Sequence, residues 1–377
     1  MTRQPPSDLP VPAPRWLRPE MMALPGYEPV EPPEALAQKL GLPPERIVKL
    51  DANENPYGPS PRALEAIARC SGYHIYPDPL QRRVRSALAR YLALDEQYIL
   101  AGSGADELLD ILVRLTISPG EAAVDNVPTF GMYSFVVELA GGRVVAVRRR
   151  DDFGLDTGAV RRAVQQGAKL VFVCSPNNPT GNLVEEDELR ELLSLDALIV
   201  LDEAYTEFAG RSFAQIVPRH ENLAVLRTFS KWAALAGLRA GYAVMPKALT
   251  EIALKVKMPY NLNVAAEAAV TASLADASYL MSNVEAIIQE RERFQRALAD
   301  VPFLQPFPSS ANFILCGVQG LAARDLWREL RQRGVMVRYY NTPLLSNYIR
   351  ITVGRRRDSE RLLEALTAVK EDVHDGA

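Results

Sequence analysis

KLVFVCSPNNP, residues 169–179, sets an uninterrupted apolar run against an abrupt end of serine, asparagine and proline. A short run that is apolar on both alternating sets of positions reads as a strand buried on both faces, because a strand with one wet face would alternate. The same form recurs outward along the chain, in AAVDNVPTF (122–130), RVVAV (143–147), ALIVLDEAY (197–205) and LAVLRTFS (223–230). Helical patterns such as DTGAVRRAVQQ (156–166) and EEDELRELLS (185–194) lie between several of these runs. Alternating strands and helices imply an α/β fold with a mostly parallel central sheet wrapped by helices.

Upstream, YILAGSGADELLDILVRLT (98–116) reads as strand, glycine turn and helix, with Leu108, Leu109, Ile111, Leu112 and Leu115 on the buried face and Asp106 and Glu107 in the first turn. SPRALEAIARC (60–70) is a second helix, with Ser60 as N-cap and Pro61 at the first helical position. Residues 1–33 are proline-rich, which excludes an ordinary helix or central strand and reads as an extended arm.

Composition narrows the function classes. The chain has 377 residues, 48% hydrophobic and 24% charged, as in a soluble enzyme of more than one unit. A formal net charge of -3 gives no basis for nucleic acid or an anionic membrane as partner. No apolar run is long enough to span a membrane, and the start MTRQPPSDLPVPAP lacks the apolar stretch of a secretory signal. Cys70, Cys174 and Cys316 form no CxxC pair, and His74, His220 and His374 have no metal-ligand spacing. These features predict a cytoplasmic protein without a metal site.

In a parallel sheet the C-terminal strand ends share one edge, where ligands bind. The residues expected there are Gly102, Ser103 and Gly104, Thr129 and Phe130, Asn177 and Asn178, Asp202, Tyr205, Ser230 and Lys231. Lys231 follows an apolar run; a desolvated amine loses basicity and becomes a usable nucleophile. A ligand that needs an amine, an acid, a phosphate cradle and an aromatic plate is pyridoxal phosphate. GSGADE carries glutamate where a dinucleotide fingerprint has its third glycine, which weakens a dehydrogenase reading.

The motifs SPNNPTG (175–181), LDEAY (201–205) and SKWAALAGLRAG (230–241) resemble the fold-type I aminotransferases. Within that superfamily, KLDANENPYGPSP (49–61), YPDP (76–79), GSGADELLDIL (102–112), PTFGMY (128–133) and YIRITVG (348–354) are most similar to the histidinol-phosphate aminotransferase family. The resemblance spans about residues 25–370 and implies a fold-type I transferase with a smaller α+β domain. The expected division is an arm at 1–33, a large pyridoxal phosphate-binding domain at 55–260, and a small domain made of 34–54 with 261–377.

The resemblance also implies roles. Lys231 would be the Schiff-base lysine and proton carrier, Asp202 the partner of the pyridine nitrogen, and Asn178 and Tyr205 donors to the ring oxygen. The cofactor phosphate would rest on the backbone amides of Ala105 and Asp106 with Ser230 and Arg239, Arg239 being spaced from Lys231 by a helix. Phe130 would stack on the ring, and Tyr76 would reach the neighbouring subunit's cofactor, implying a homodimer with shared sites. Arg350 would grip the substrate carboxylate, Arg338 a phosphate end, Tyr27 would close over substrate, and Asn53 would lie near the carboxylate site. The implied reaction is amino transfer between L-histidinol phosphate and 2-oxoglutarate in histidine biosynthesis. An aromatic amino acid aminotransferase and a threonine-phosphate decarboxylase stand as alternatives. A non-catalytic binding protein that retains the cofactor is a further rival, opposed by the filled catalytic positions.

Overall fold

The computed structural model describes residues 16–18, 21–22, 24 and 31–375, with side chains through residue 370. Most of the expected proline-rich arm, Tyr27 included, lies outside the described residues. Among the described residues twelve strands are numbered in chain order: β1 Val48–Leu50, β2 Ile99–Gly102, β3 Ala122–Val127, β4 Arg143–Arg148, β5 Ala168–Cys174, β6 Leu198–Asp202, β7 Leu223–Thr228, β8 Gly241–Val244, β9 Leu304–Pro306, β10 Phe313–Val318, β11 Val335–Tyr339 and β12 Tyr348–Thr352.

Seven strands form one sheet in the order β2-β8-β7-β6-β5-β3-β4. The pairs from β4 through β7 are all parallel, and only β8 runs against its neighbours β7 and β2. The central runs are apolar throughout because alternate residues enter two different cores. Leu170, Phe172 and Cys174 of β5 join the helices Ala105–Thr116 and Met132–Leu139 on one face. Val171 and Val173 join the core on the other face, with Val160, Leu189 and Leu192 from the crossover helices. This is the mostly parallel, helix-wrapped α/β fold expected from the sequence.

Helix starts follow local chemistry. Ser60 accepts the Ala63 amide at 3.1 Å ahead of the helix Pro61–Ala68. Asp156 and Asn263 likewise accept the amides of Ala159 and Ala266, each at 2.8 Å. Such caps satisfy amides that have no partner within the helix.

The second sheet has five strands in the order β1-β11-β12-β10-β9, with β1 parallel to β11 and the other pairs antiparallel. The helices Ala323–Gln332 and Arg356–Asp375 pack on it, while Val264–Ala275 packs on Pro61–Ala68 and Arg82–Leu92. β1 runs directly into Asp51–Asn53, and β12 carries Arg350 and Thr352. The small sheet thereby delivers side chains to the C-terminal edge of the large one.

At the β8 end of that edge the backbone closes tightly. A Cβ at Gly241 would sit 2.7 Å from the Ala105 nitrogen and 2.8 Å from the Gly104 carbonyl carbon. These are backbone atoms of a helix start, so they cannot swing aside. Gly241→Ala should destabilise the fold by about 1–3 kcal/mol through overpacking. A thermal or urea midpoint indistinguishable from the parent would contradict this.

Candidate active site

At or just past their last paired residues, four strands of the parallel set release side chains into one cleft. β3 leads to Phe130, β5 to Asn177 and Asn178, β6 ends in Asp202 and leads to Tyr205, and β7 leads to Ser230 and Lys231. The ladder aligns Cys174 with Asp202 and Asp202 with Leu226, while Gly241 pairs with both Gly102 and Thr228. Residues far apart in sequence therefore meet at one rim.

Lys231 donates from Nζ to the Ala52 carbonyl at 3.0 Å, and its amine lies 5.9 Å from the centroid of the Tyr205 ring. Burial first, then the positive charge of Arg350, pushes its pKa down to about 8. Glu54 opposes that shift, while Lys49 and Arg239 add to it. The outcome is an amine that is substantially neutral in mildly basic water.

Asp202 is 4% exposed. Its Oδ2 accepts from the Tyr133 hydroxyl at 2.7 Å and its Oδ1 from the Ala204 amide at 3.0 Å. Burial pushes the carboxyl up to about 6, against these two donors, which favour the anion.

The helix Ala105–Thr116 starts without a side-chain cap, from Gly104 at φ 82°. Its first amides and dipole thus remain available to an anion. Ser230 stands beside them, its hydroxyl taking a long contact of 3.5 Å from Arg239 Nη1. Arg239 Nη2 rests on Asp106 Oδ2 at 2.9 Å, and a Cβ on Gly104 would lie 2.6 Å from that same nitrogen. The expected helix between Lys231 and Arg239 is absent. The segment forms only the 3₁₀ turn Ala236–Leu238, with Ala234 at φ 57° and Arg239 at φ 52°. The spacing that looked like two helical turns is a doubled-back loop, which brings Arg239 onto the helix start.

On the opposite side, Arg350 is 6% exposed and donates to Asn178 Oδ1 at 2.6 Å and to the Asp51 carbonyl at 2.5 Å. Its Nε is buried without a partner, and its guanidinium lies over the Phe313 and Tyr340 rings at 5.3 and 6.0 Å. Arg338 is its register partner across the antiparallel β11–β12 pair, with a guanidinium 5.6 Å from the same Tyr340 ring. Directly opposed side chains project from the same face of a sheet. Two cations therefore flank one ring, and among the described residues neither pairs with a carboxylate.

Asn53 is 1% exposed at φ 54°. Its amide and Oδ1 both bond the Thr352 hydroxyl, at 3.0 and 3.1 Å, and its Nδ2 donates to the Tyr205 hydroxyl at 3.0 Å. Asn312 donates to its carbonyl at 3.1 Å. Asn53 was expected near the carboxylate site; its bonds to Thr352 place it beside the strand that carries Arg350, and its polar groups clasp the small sheet to Tyr205.

Phe130 sits edge-on to Tyr133, ring centroids 5.7 Å apart. Tyr76 is 78% exposed and stacks on Tyr260 at 4.5 Å, taking no part in the hydrogen bonds of this cluster. Two residues with evident positions were not singled out from sequence. Tyr133 sits within the motif PTFGMY, where it reads as a core aromatic, and Asp51 reads as a turn residue. Among the described residues no cluster could hold a metal ion, and no helix is long and apolar enough to cross a membrane.

The depressed lysine, the buried acid, the uncapped helix start and the acid-free arginine pair together fit a phosphorylated aldehyde cofactor and an anionic amine substrate. The family model for aminotransferase class I and II matches residues 45–366. A histidinol-phosphate aminotransferase of Roseiflexus castenholzii is 49% identical over 362 residues, covering 94% of this chain and 98% of the relative. A chloroplastic histidinol-phosphate aminotransferase of Nicotiana tabacum is 47% identical, covering 93% of this chain and 86% of the relative. Among solved structures, the histidinol-phosphate aminotransferase of Sinorhizobium meliloti in complex with pyridoxal-5'-phosphate superposes with a TM-score of 0.87 at 30% identity, covering 96% of this chain and 99% of that one. The chain belongs to the class I and II aminotransferases and, within them, to the family of the histidinol-phosphate aminotransferases.

In the cofactor-free protein, acylation of Lys231 should titrate with a midpoint near about 8 rather than the ordinary 10.5. Arg350→Gln should move that midpoint upward, because removing a neighbouring positive charge favours the protonated amine. Competitive amine labelling across pH, read at Lys231 by mass spectrometry, measures both. A parent midpoint above 10 would refute the electrostatic account.

Proposed function

We propose that this chain transfers the amino group of L-histidinol phosphate to 2-oxoglutarate, using pyridoxal phosphate, in histidine biosynthesis. The observation that carries the reading is the Arg338–Arg350 pair over the Tyr340 ring, in the same cluster as the Lys231 amine. Glutamate bears a carboxylate on its reacting carbon; histidinol phosphate bears a phosphate ester one carbon further out. One planar guanidinium suffices for the carboxylate, whereas a dianionic ester favours a second cation. Arg350 would serve both substrates, and Arg338 chiefly the phosphorylated one. The aromatic aminotransferase and threonine-phosphate decarboxylase alternatives draw no support from the relatives described above.

When bound, the cofactor supplies an aldehyde carbon for covalent attachment and a protonated ring that accepts the electron pair left on the substrate carbon. The amides of Ala105 and Asp106, with Ser230 and Arg239, would hold its phosphate. Phe130 would cover the ring face, Asn178 and Tyr205 would donate to the ring oxygen, and Asp202 would face the ring nitrogen. Lys231 Nζ would take the proton from the substrate carbon, a task for which its lowered basicity suits it. The Asn53 clasp keeps the Tyr205 hydroxyl aimed while Arg350 orients the substrate.

A homodimer is part of this reading. Tyr76, Tyr73 and Ile75 are 78, 62 and 62% exposed, which supports a second copy covering them, with Tyr76 reaching its cofactor. The free cysteines Cys70, Cys174 and Cys316 support a reducing, cytoplasmic setting. A large unit of 55–260 and a smaller unit of 34–54 with 261–377 would each supply one wall. Asp51, Asn53 and Arg350 come from the smaller unit, and Asn178, Tyr205 and Lys231 from the larger.

Lys231→Ala should keep the circular dichroism of the parent and lose transamination; near-parental turnover would end the proposal. Arg338→Gln should raise KM for histidinol phosphate by about tenfold or more, the loss expected for a charge-assisted contact. KM for glutamate should change much less. Equal losses for both substrates would remove Arg338 from phosphate recognition.

A further inference from the structure

We propose that Tyr133 is a positioning residue that holds Asp202 as a fixed, ionised carboxylate for the cofactor's ring nitrogen. The inference rests on the reading that Asp202 faces that nitrogen. Tyr133 is 1% exposed and lies in the helix Met132–Leu139, which follows the loop carrying Phe130. Its ring lies nearly parallel to Phe172, at 5.0 Å and 7°, and edge-on to Phe130 at 5.7 Å. These two contacts pack the ring, and its hydroxyl reaches Asp202 Oδ2 at 2.7 Å independently of them. The Ala204 amide takes the other carboxylate oxygen at 3.0 Å, so neither oxygen is free to rotate away.

The side chains facing Asp202 leave this duty to Tyr133, beside the Ala204 amide. Cys174, its partner in the ladder, is a thiol that burial pushes up to about 12, and its Sγ turns to the Pro176 carbonyl at 3.3 Å. Asp106, from the helix start, disfavours the anion, and Lys231 favours it weakly. Tyr205 is neutral, its hydroxyl held by Asn53. Burial pushes Asp202 towards its protonated form, and a protonated carboxyl could not keep a ring nitrogen charged. The Tyr133 phenol is itself pushed well above its ordinary value by burial and by Asp202, so it remains a donor throughout the working range. The hydroxyl thus reaches the cofactor through Asp202, and the same ring braces the aromatic plate.

The test compares Tyr133→Phe, Asp202→Asn and Phe172→Leu, each prepared cofactor-free and titrated with pyridoxal phosphate. Tyr133→Phe retains the ring and both of its stacking partners. It should weaken cofactor binding by about tenfold or more, as expected on losing a hydrogen bond to a buried charge. The acidic limb of kcat/KM should move up by about one pH unit, since removing a donor to the anion raises the carboxyl pKa. Phe172→Leu disturbs the stack alone, so it should lower the melting midpoint while leaving the acidic limb in place. If Tyr133→Phe behaves like Phe172→Leu, with an unmoved limb and parental affinity, the role of the hydroxyl is overturned while the Asp202 reading stands. If Asp202→Asn also leaves cofactor affinity and visible absorbance unchanged, the Asp202 reading falls and the inference with it.

Discussion

Parallel pairing from β4 through β7 is the constraint on which the site depends. A parallel strand must be re-entered from the same end, so each crossover begins where the previous strand stopped. Ladder bonds commit the backbone up to Asp202 and Thr228, and the residues just beyond are released together. That geometry converts a span of about a hundred residues, from Phe130 to Lys231, into one wall of a cleft. β8 enters antiparallel at the same edge, and Gly241 without a side chain lets the helix start at Ala105 lie directly against it.

The second wall comes from the small sheet, and beside an apolar core shared by both sheets its attachment is polar. Asn53 joins the Thr352 hydroxyl, the Tyr205 hydroxyl and Asn312 in one buried set of bonds. Arg350 joins Asn178 to the Asp51 carbonyl beside it. Buried polar groups of this kind are costly unless satisfied, so the two sheets are matched in only one relative position. Electrostatics follows from that placement. Among the described residues Arg350 pairs with no carboxylate, and it lies close enough to Lys231 to lower the amine's pKa. In the proposed reaction, the guanidinium that would receive an anionic substrate also lowers the basicity of the amine.

Much of this was legible along the chain. Asp202, Tyr205, Ser230 and Lys231 follow apolar runs too short and too uniform to be anything but buried strands, so their place at the rim followed from periodicity. Arg239 was correctly sought near the helix start at Ala105 but through a helix that does not form. Residues 232–239 are helix-forming by composition; the chain instead takes positive φ at Ala234 and Arg239 to double back onto the helix start. Tyr133 was passed over because an aromatic on the buried side of a helix looks the same whether its hydroxyl has a partner or not. Its partner lies 69 residues away, beyond the reach of any local pattern.

Periodicity and short contiguous motifs were enough to read the strands from β2 to β7 with helices between several of them, the edge to which the chemistry-bearing residues are delivered, and the family. Tertiary structure alone decided which neighbours those residues meet: Tyr133 on Asp202, Asn53 on Tyr205, Arg338 abreast of Arg350, and Arg239 on Asp106. The physical reason is that burial, charge proximity and hydrogen-bond direction are properties of distances between segments. Packing sets those distances, and neither spacing nor composition encodes them.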